Sequence, residues 1–181
     1  MEVVQTSFEG LLILKPKIFR DDRGAFSESY NQKTLLAAGI SIRFVQDNQS
    51  YSLKGVLRGL HYQKSPHAQT KLVRVLSGVI QDVAVDLRRD QPTFGKYLSM
   101  DLSADDGRQL LIPAGFAHGF LVLSDSAEVL YKCDDYYVPG SEAGILYNDP
   151  ALNIPWKLTG DPLLSGKDAA LPTLAQVQAI L

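Results

Sequence analysis

The chain has 181 residues, of which 45% are apolar and 21% charged, and a formal net charge of -2. This is ordinary globular composition on a length that buries a substantial core, so disorder, collagen-like repeats and a disulfide scaffold are excluded as descriptions of the whole chain. Eighteen basic against twenty acidic residues leave no basic excess of the kind that non-specific nucleic-acid or membrane binding uses. One domain over residues 1–181 is expected.

The start, MEVVQTSFEG, has no basic segment followed by an apolar one, so no signal peptide is read. Apolar runs are short, as at Leu11–Leu14, and no membrane helix is expected. Arg20 to Glu28 reads as a charged turn entering a strand. Asn31 can cap a short helix over Lys33–Ala38, stopped by Gly39. Phe44–Gln49 is a short strand. Lys71–Val75 alternates, and Val79–Leu87 alternates after Ser77-Gly78, with Val83, Val85 and Leu87 opposite Asp82, Ala84 and Asp86. Period two broken by a glycine turn reads as a hairpin in a half-polar antiparallel sheet. Gly95–Leu102, Arg108–Ile112, Phe120–Leu123 and Glu128–Tyr137 add strands. Pro172 can open a terminal helix with Leu174, Val177 and Leu181 on one side. The pattern predicts a mostly-β fold, a double antiparallel sheet or barrel with short flanking helices.

Three histidines are candidates for acid–base work. His61 follows Arg58 by three positions between glycines and can line a pocket, or serve as a structural histidine. His118 lies among apolar residues, as a hydrogen-bonded core group or a pocket wall. His67 follows Ser65-Pro66 in a loop and reads as a surface residue. Cys133 is the only cysteine, so no intrachain disulfide forms, and a reducing cytoplasm fits. It alternates within a strand, where a small apolar packing role is expected. No His-x-His occurs, Asp82 and Asp86 read as a polar strand face, and no metal site is expected. Phosphate loops of the Gly-x-x-x-x-Gly-Lys and Gly-x-Gly-x-x-Gly types are absent, as is a Gly-x-Ser-x-Gly elbow. Tyr131, Cys133, Asp135 and Tyr137 share one face of a strand, and a tyrosine there can exchange a proton or stack on a base. These residues name no reaction.

The order of motifs adds to this. Asp22-Arg-Gly-Ala-Phe-Ser-Glu28, Phe44-Val-Gln-Asp-Asn48, Gly55-Val-Leu-Arg-Gly-Leu-His-Tyr-Gln63, Gln69-Thr-Lys-Leu-Val-Arg-Val75, Ile112-Pro-Ala-Gly-Phe-Ala-His-Gly-Phe120, Tyr131-Lys132, Asn148-Asp-Pro150 and Ser165-Gly-Lys-Asp168 follow one another. Together they resemble the dTDP-4-dehydrorhamnose 3,5-epimerase family, from about Phe8 to Leu174. The resemblance implies a cupin-like jelly roll that works as a homodimer, without metal or other cofactor, on a dTDP-sugar in dTDP-L-rhamnose biosynthesis. It implies His61 as general base, Asp168 as its carboxylate partner, Tyr131 as acid on the other face, and Lys71 as the cation at the C4 oxygen. Arg58 and His118 match substrate contacts. Arg23, Glu28, Gln46, Asn48, Glu142 and Lys167 match nucleotide or sugar contacts. Phe26 and Tyr137 resemble an aromatic pair around thymine. An epimerase of C3 or C5 alone, and an inactive sugar-nucleotide-binding module, are the alternatives; the presence of His61, Lys71, Tyr131 and Asp168 together speaks against the module.

Overall fold

The computed structural model describes residues 1–178. Among these, a six-stranded antiparallel sheet runs in the order β1 (Glu2–Gln5), β2 (Leu12–Lys15), β10 (Gln109–Ile112), β7 (Lys71–Ser77), β12 (Ser126–Cys133), β5 (Gln46–Leu53). A five-stranded sheet has the order β13 (Glu142–Gly144), β6 (Leu57–Gln63), β11 (Phe116–Val122), β8 (Val79–Asp86), β9 (Tyr97–Ser103). A separate ribbon pairs β3 (Ile18–Asp21) with β4 (Gly24–Ser27). The expected mostly-β double sheet with short helices is what the chain forms.

The two sheets enclose an apolar cluster. Val73, Val75, Leu110, Ile112 and Val129 come from one sheet, and Ile80, Ala84, Leu102, Phe116 and Phe120 from the other. Each outer face carries a second layer. Leu35 of the helix α1 (Gln32–Ala37) packs with Leu12, Leu14, Leu72 and Leu111 outside the six-stranded sheet. Leu152, Leu174 and Val177 cover Leu60, Tyr62, Val83 and Val85 outside the five-stranded sheet. Strands covered on both faces lose the simple polar alternation of a half-exposed sheet. The Asn31 side chain accepts from the Lys33 and Thr34 amides, as expected of an N-cap. The terminal helix α3 spans Leu174–Gln178, with Leu174 and Val177 buried, and Leu181 lies outside the described residues.

The hairpin expected around Gly78 does not form. β7 lies in the six-stranded sheet and β8 in the five-stranded one, so the chain crosses between layers there. Gly78 has φ +80° and no room for a side chain: an added Cβ would sit 2.2 Å from the Ser126 carbonyl oxygen. Nor is β8 half-polar. Asp82 and Asp86 are fully buried between the sheets. Asp86 is paired there by Arg88 and Thr93. The strand expected over Glu128–Tyr137 ends at Cys133, so Asp135 and Tyr137 lie beyond it.

Candidate active site

The cross-strand rows show how one end of the interior becomes a site. Val75 and Val129 form one inward row, Val73 and Tyr131 the next, and Lys71 and Cys133 the last. β5 continues these rows with Ser50, Asn48 and Gln46. The space between the sheets therefore passes from an apolar core to a polar cavity of about 790 Å³.

On the facing sheet, His61 lies directly across from His118. Arg58 is three residues before His61, a spacing that puts side chains on opposite faces of a regular strand. The register slips between His118 and Phe120, where β6 has one extra residue, so Arg58 and His61 both face inward. Gly59, inside this bulge, has φ +106°, and a Cβ there would lie 2.6 Å from the His118 carbonyl oxygen. Two backbones meet there at a distance only glycine permits.

His61 is held from behind. Its Nε2 lies 2.6 Å from Asp168 Oδ1. Asp168 is buried on α2 (Gly166–Ala169), a turn capped by Ser165, whose Oγ accepts from the Asp168 amide at 3.0 Å. The segment carrying it runs beside the start of β6, where Val56 bridges Leu163. Burial lowers the His61 pKa, and the Asp168 carboxylate offsets part of that effect. The ring is thus a neutral base near pH 7 with its other nitrogen free for a substrate.

Lys71 projects from the opposite sheet, with Nζ 3.4 Å from the His61 carbonyl oxygen. Burial pushes its pKa down, while Cys133, Glu142 and Asp82 work against the shift. Tyr131 stands one row further in, its pKa raised chiefly by burial, so it stays a protonated phenol able to donate. Cys133 is a buried thiol whose pKa burial also raises, with Asn48 Nδ2 3.7 Å from its sulfur. A packing role fits it, as the sequence suggested.

The mouth carries the remaining polar groups. The Gln46 amide group bonds both the Tyr137 amide and Asn48. The Tyr137 hydroxyl donates to Glu142 at 2.6 Å, and Lys167 lies 2.5 Å from the same carboxylate oxygen. Burial would raise the Glu142 pKa, but these two partners outweigh it and hold the carboxyl below its ordinary value. Arg58 Nε donates to Ser52 Oγ at 3.0 Å. His118 is buried in the wall, with Nε2 2.8 Å from Asp82 Oδ2. The His118–Asp82 pair was not legible in the sequence, although the alternation of β8 placed Asp82 on the face of Ala84.

Eleven of the expected site residues line this one cavity: His61, Lys71, Tyr131, Asp168, Gln46, Asn48, Arg58, His118, Tyr137, Glu142 and Lys167. Arg23, Phe26 and Glu28 do not. Arg23 forks onto Asp21 at the turn of the β3–β4 ribbon, with its side chain 90% exposed. Phe26 is 71% exposed, and Glu28 accepts from Asn31. Tyr30, just beyond, stacks under Lys132, whose side chain leaves β12 on the face opposite Tyr131. This part of the chain therefore rides outside the six-stranded sheet. His67 is a surface residue 3.4 Å from Asp135, as expected. Among the described residues, no three His, Cys, Asp or Glu side chains converge as a metal site.

The sequence profile of the dTDP-4-dehydrorhamnose 3,5-epimerase family matches residues 5–176. The chain belongs to that family. The dTDP-4-dehydrorhamnose 3,5-epimerase of Salmonella typhimurium is 54% identical over 177 residues, 97% of each chain. A crystal structure of the Bacillus anthracis family member, with TDP and pyrophosphate bound, superposes with a TM-score of 0.93 at 52% identity, covering 96% of this chain and 99% of that one. A dTDP-6-deoxy-D-glucose-3,5-epimerase from Legionella pneumophila, in complex with dTDP-4-keto-L-rhamnose, gives a TM-score of 0.94 at 51% identity, covering 99% and 95%. Family membership, a cavity at one end of a double sheet and the likeness to these structures agree.

Proposed function

We propose that the protein epimerises C3 and C5 of dTDP-4-dehydro-6-deoxy-D-glucose, giving dTDP-4-dehydro-L-rhamnose for dTDP-L-rhamnose biosynthesis. One observation carries this reading: a dyad-held imidazole and a phenol enter the same cavity from opposite sheets, His61 from β6 and Tyr131 from β12. Inverting a carbon needs a base on one face of the sugar ring and an acid on the other. The C4 ketone acidifies the hydrogens on both neighbouring carbons. His61 takes such a proton, and the electron pair moves onto the C4 oxygen as an enolate. Lys71 supplies positive charge to that oxygen, where charge grows in the transition state. Tyr131 returns a proton to the opposite face. The substrate's own carbonyl serves as electron sink, so the steps run without a cofactor.

Arg58 and His118 contact the sugar or diphosphate in this reading. Gln46, Asn48, Glu142 and Lys167 hold the nucleotide end, and Tyr137, 50% exposed at the mouth, stacks on thymine. Arg23, Phe26 and Glu28 reach a site only from a second copy, since their own ribbon lies outside the sheet. The exposed Phe26 and open mouth therefore support a homodimer in which each ribbon serves the partner's cavity. No helix among the described residues is long and apolar enough to cross a membrane. A nucleotide-activated substrate and the free thiol at Cys133 support a cytoplasmic location.

The test is solvent exchange. The protein is incubated with dTDP-4-dehydro-6-deoxy-D-glucose in deuterated water, and label at C3 and C5 is read by NMR. Label at both carbons with the L-rhamno product is expected. Label at one carbon makes it a single-centre epimerase. No label, with dTDP still bound, makes it a binding module.

A further inference from the structure

The interior of the site holds a second histidine–carboxylate pair, His118 with Asp82, whose carboxylate the reaction above leaves without a role. Asp82 is 0% exposed and sits on β8 among inward-facing residues. One of its oxygens is 2.8 Å from His118 Nε2, and the other, Oδ1, has no hydrogen-bond partner among the described residues. A carboxylate buried this deeply with a single hydrogen bond is costly unless positive charge stands near it. Lys71, on the facing sheet, supplies such charge. His118 is 7% exposed and lines the cavity, and its Nδ1 takes no partner among the described residues. The two dyads are built alike: in each, Nε2 is tied to a buried carboxylate and Nδ1 is left over, and the two rings are cross-strand neighbours.

The geometry points to Asp82 as a positioning residue for the oxyanion end of the site: it fixes the ring plane and tautomer of His118, with Nε2–H donated to the carboxylate, and its charge balances the Lys71 ammonium across the cavity. A carboxylate behind an imidazole acts in this way in the Ser-His-Asp arrangement. The influence of Asp82 on Lys71 runs the same way, favouring the ammonium against the effect of burial. The charged and titratable groups around Lys71 on the surrounding strands are His61, Arg58, Tyr131, Cys133, Glu142, Asp82 and His118. Of these, Asp82 is the carboxylate that lies wholly between the sheets.

Two measurements test this, and the catalytic one rests on the function proposed above. The first reads the wild-type chain and needs no substrate. With only three histidines, ¹⁵N-labelled imidazole resonances are assignable. The His118 ring is expected to carry its proton on Nε2, protected from exchange; an unprotonated Nε2 overturns the proposal whether or not the protein turns over any sugar. The second is Asp82→Asn, which keeps shape and removes charge. Turnover is expected to fall about 10- to 100-fold with dTDP affinity held. The alkaline limb of kcat is expected to move to lower pH, because Lys71 loses the carboxylate that favours its charged form. A folded Asp82→Asn protein with turnover within about twofold of wild type and an unmoved alkaline limb overturns the proposal. Should that variant fail to fold, the wild-type NMR result decides. Should wild-type protein make no product, the function proposed above fails, and the NMR result still decides whether Asp82 holds His118.

Discussion

Asp168→Asn tests the His61 dyad directly. The Asp168 carboxylate is 4% exposed and lies 2.6 Å from His61 Nε2. When His61 takes a proton from carbon, an imidazolium forms beside that carboxylate. Unit charges about 4 Å apart at an effective dielectric near 20 attract by about 4 kcal/mol. The amide keeps the size of the group and loses this charge. It can also turn its NH₂ toward Nε2, which stabilises the wrong tautomer for a base. Losing half or more of that attraction in the transition state lowers kcat by about 30- to 1,000-fold. The pH profile should change too. Burial already lowers the His61 pKa, and Asp168 is the main influence opposing it. Without Asp168 the pKa falls further, so the acid limb of kcat/KM moves to lower pH while its plateau drops. The assay is deuterium uptake at C3 and C5 across a pH series, with circular dichroism and dTDP binding as controls on folding. A folded variant with turnover within about threefold of wild type refutes the dyad, and so does an acid limb that moves upward.

Lys71→Met should lower turnover by about 100- to 1,000-fold with dTDP binding intact, because the oxyanion loses its cation; equal loss of binding and turnover would mean a role in ground-state affinity instead. In the wild type, burial lowers the Lys71 pKa, so activity should fall as pH rises through a value below the ordinary lysine range. Tyr131→Phe should leave proton abstraction by His61 intact while inverted product forms about 100-fold more slowly, read as deuterium exchange outrunning epimerisation. If exchange and product fall together, Tyr131 is not the acid. Phe26→Ala should weaken dTDP binding by about 1 kcal/mol, roughly fivefold, and leave kcat at saturating substrate unchanged. A larger effect on kcat than on binding would count against stacking.

Several strands were legible because one face of each packs on the interior and alternation survives. β7, β9, β10 and β12 fall within a few residues of the expected ranges. The misread hairpin has a plain cause. Two alternating segments flanking a glycine look the same whether the chain folds back in one sheet or crosses to the sheet opposite. The difference lies in Ser126, whose carbonyl closes on Gly78 from 48 positions away in the chain, and local pattern carries no such contact. The polar reading of β8 failed for a related reason. An aspartate at every other position marks a solvated face unless partners hold it in the interior; here Arg88 and Thr93 pair Asp86, and His118, 36 positions along the chain, bonds one oxygen of Asp82. β1, β2 and β13, of three or four residues each, were not singled out.

The site divides along the same line. Arg58 and His61 could be read as neighbours in one pocket, but only the bulge at Gly59 explains how a spacing of three puts both inside. His61 and Asp168 are 107 positions apart, and no local feature joins them; motif order brought them together before geometry did. The ribbon residues make the opposite case. Motif order assigns Arg23 and Glu28 to nucleotide or sugar contacts and Phe26 to thymine, yet they line no part of the cavity that holds the other eleven residues. Phe26, 71% exposed, lies across the ribbon from Phe19, 52% exposed, so two large rings leave an apolar patch with little reason to be there in an isolated chain. Both facts follow if the ribbon completes the cavity of a second copy. Dilution to monomer should then weaken dTDP binding in the wild type, and do so about fivefold less in Phe26→Ala, because the variant has already lost the partner's ring while keeping its Arg23 and Glu28. A wild-type affinity independent of dimerisation would return those three residues to their own chain.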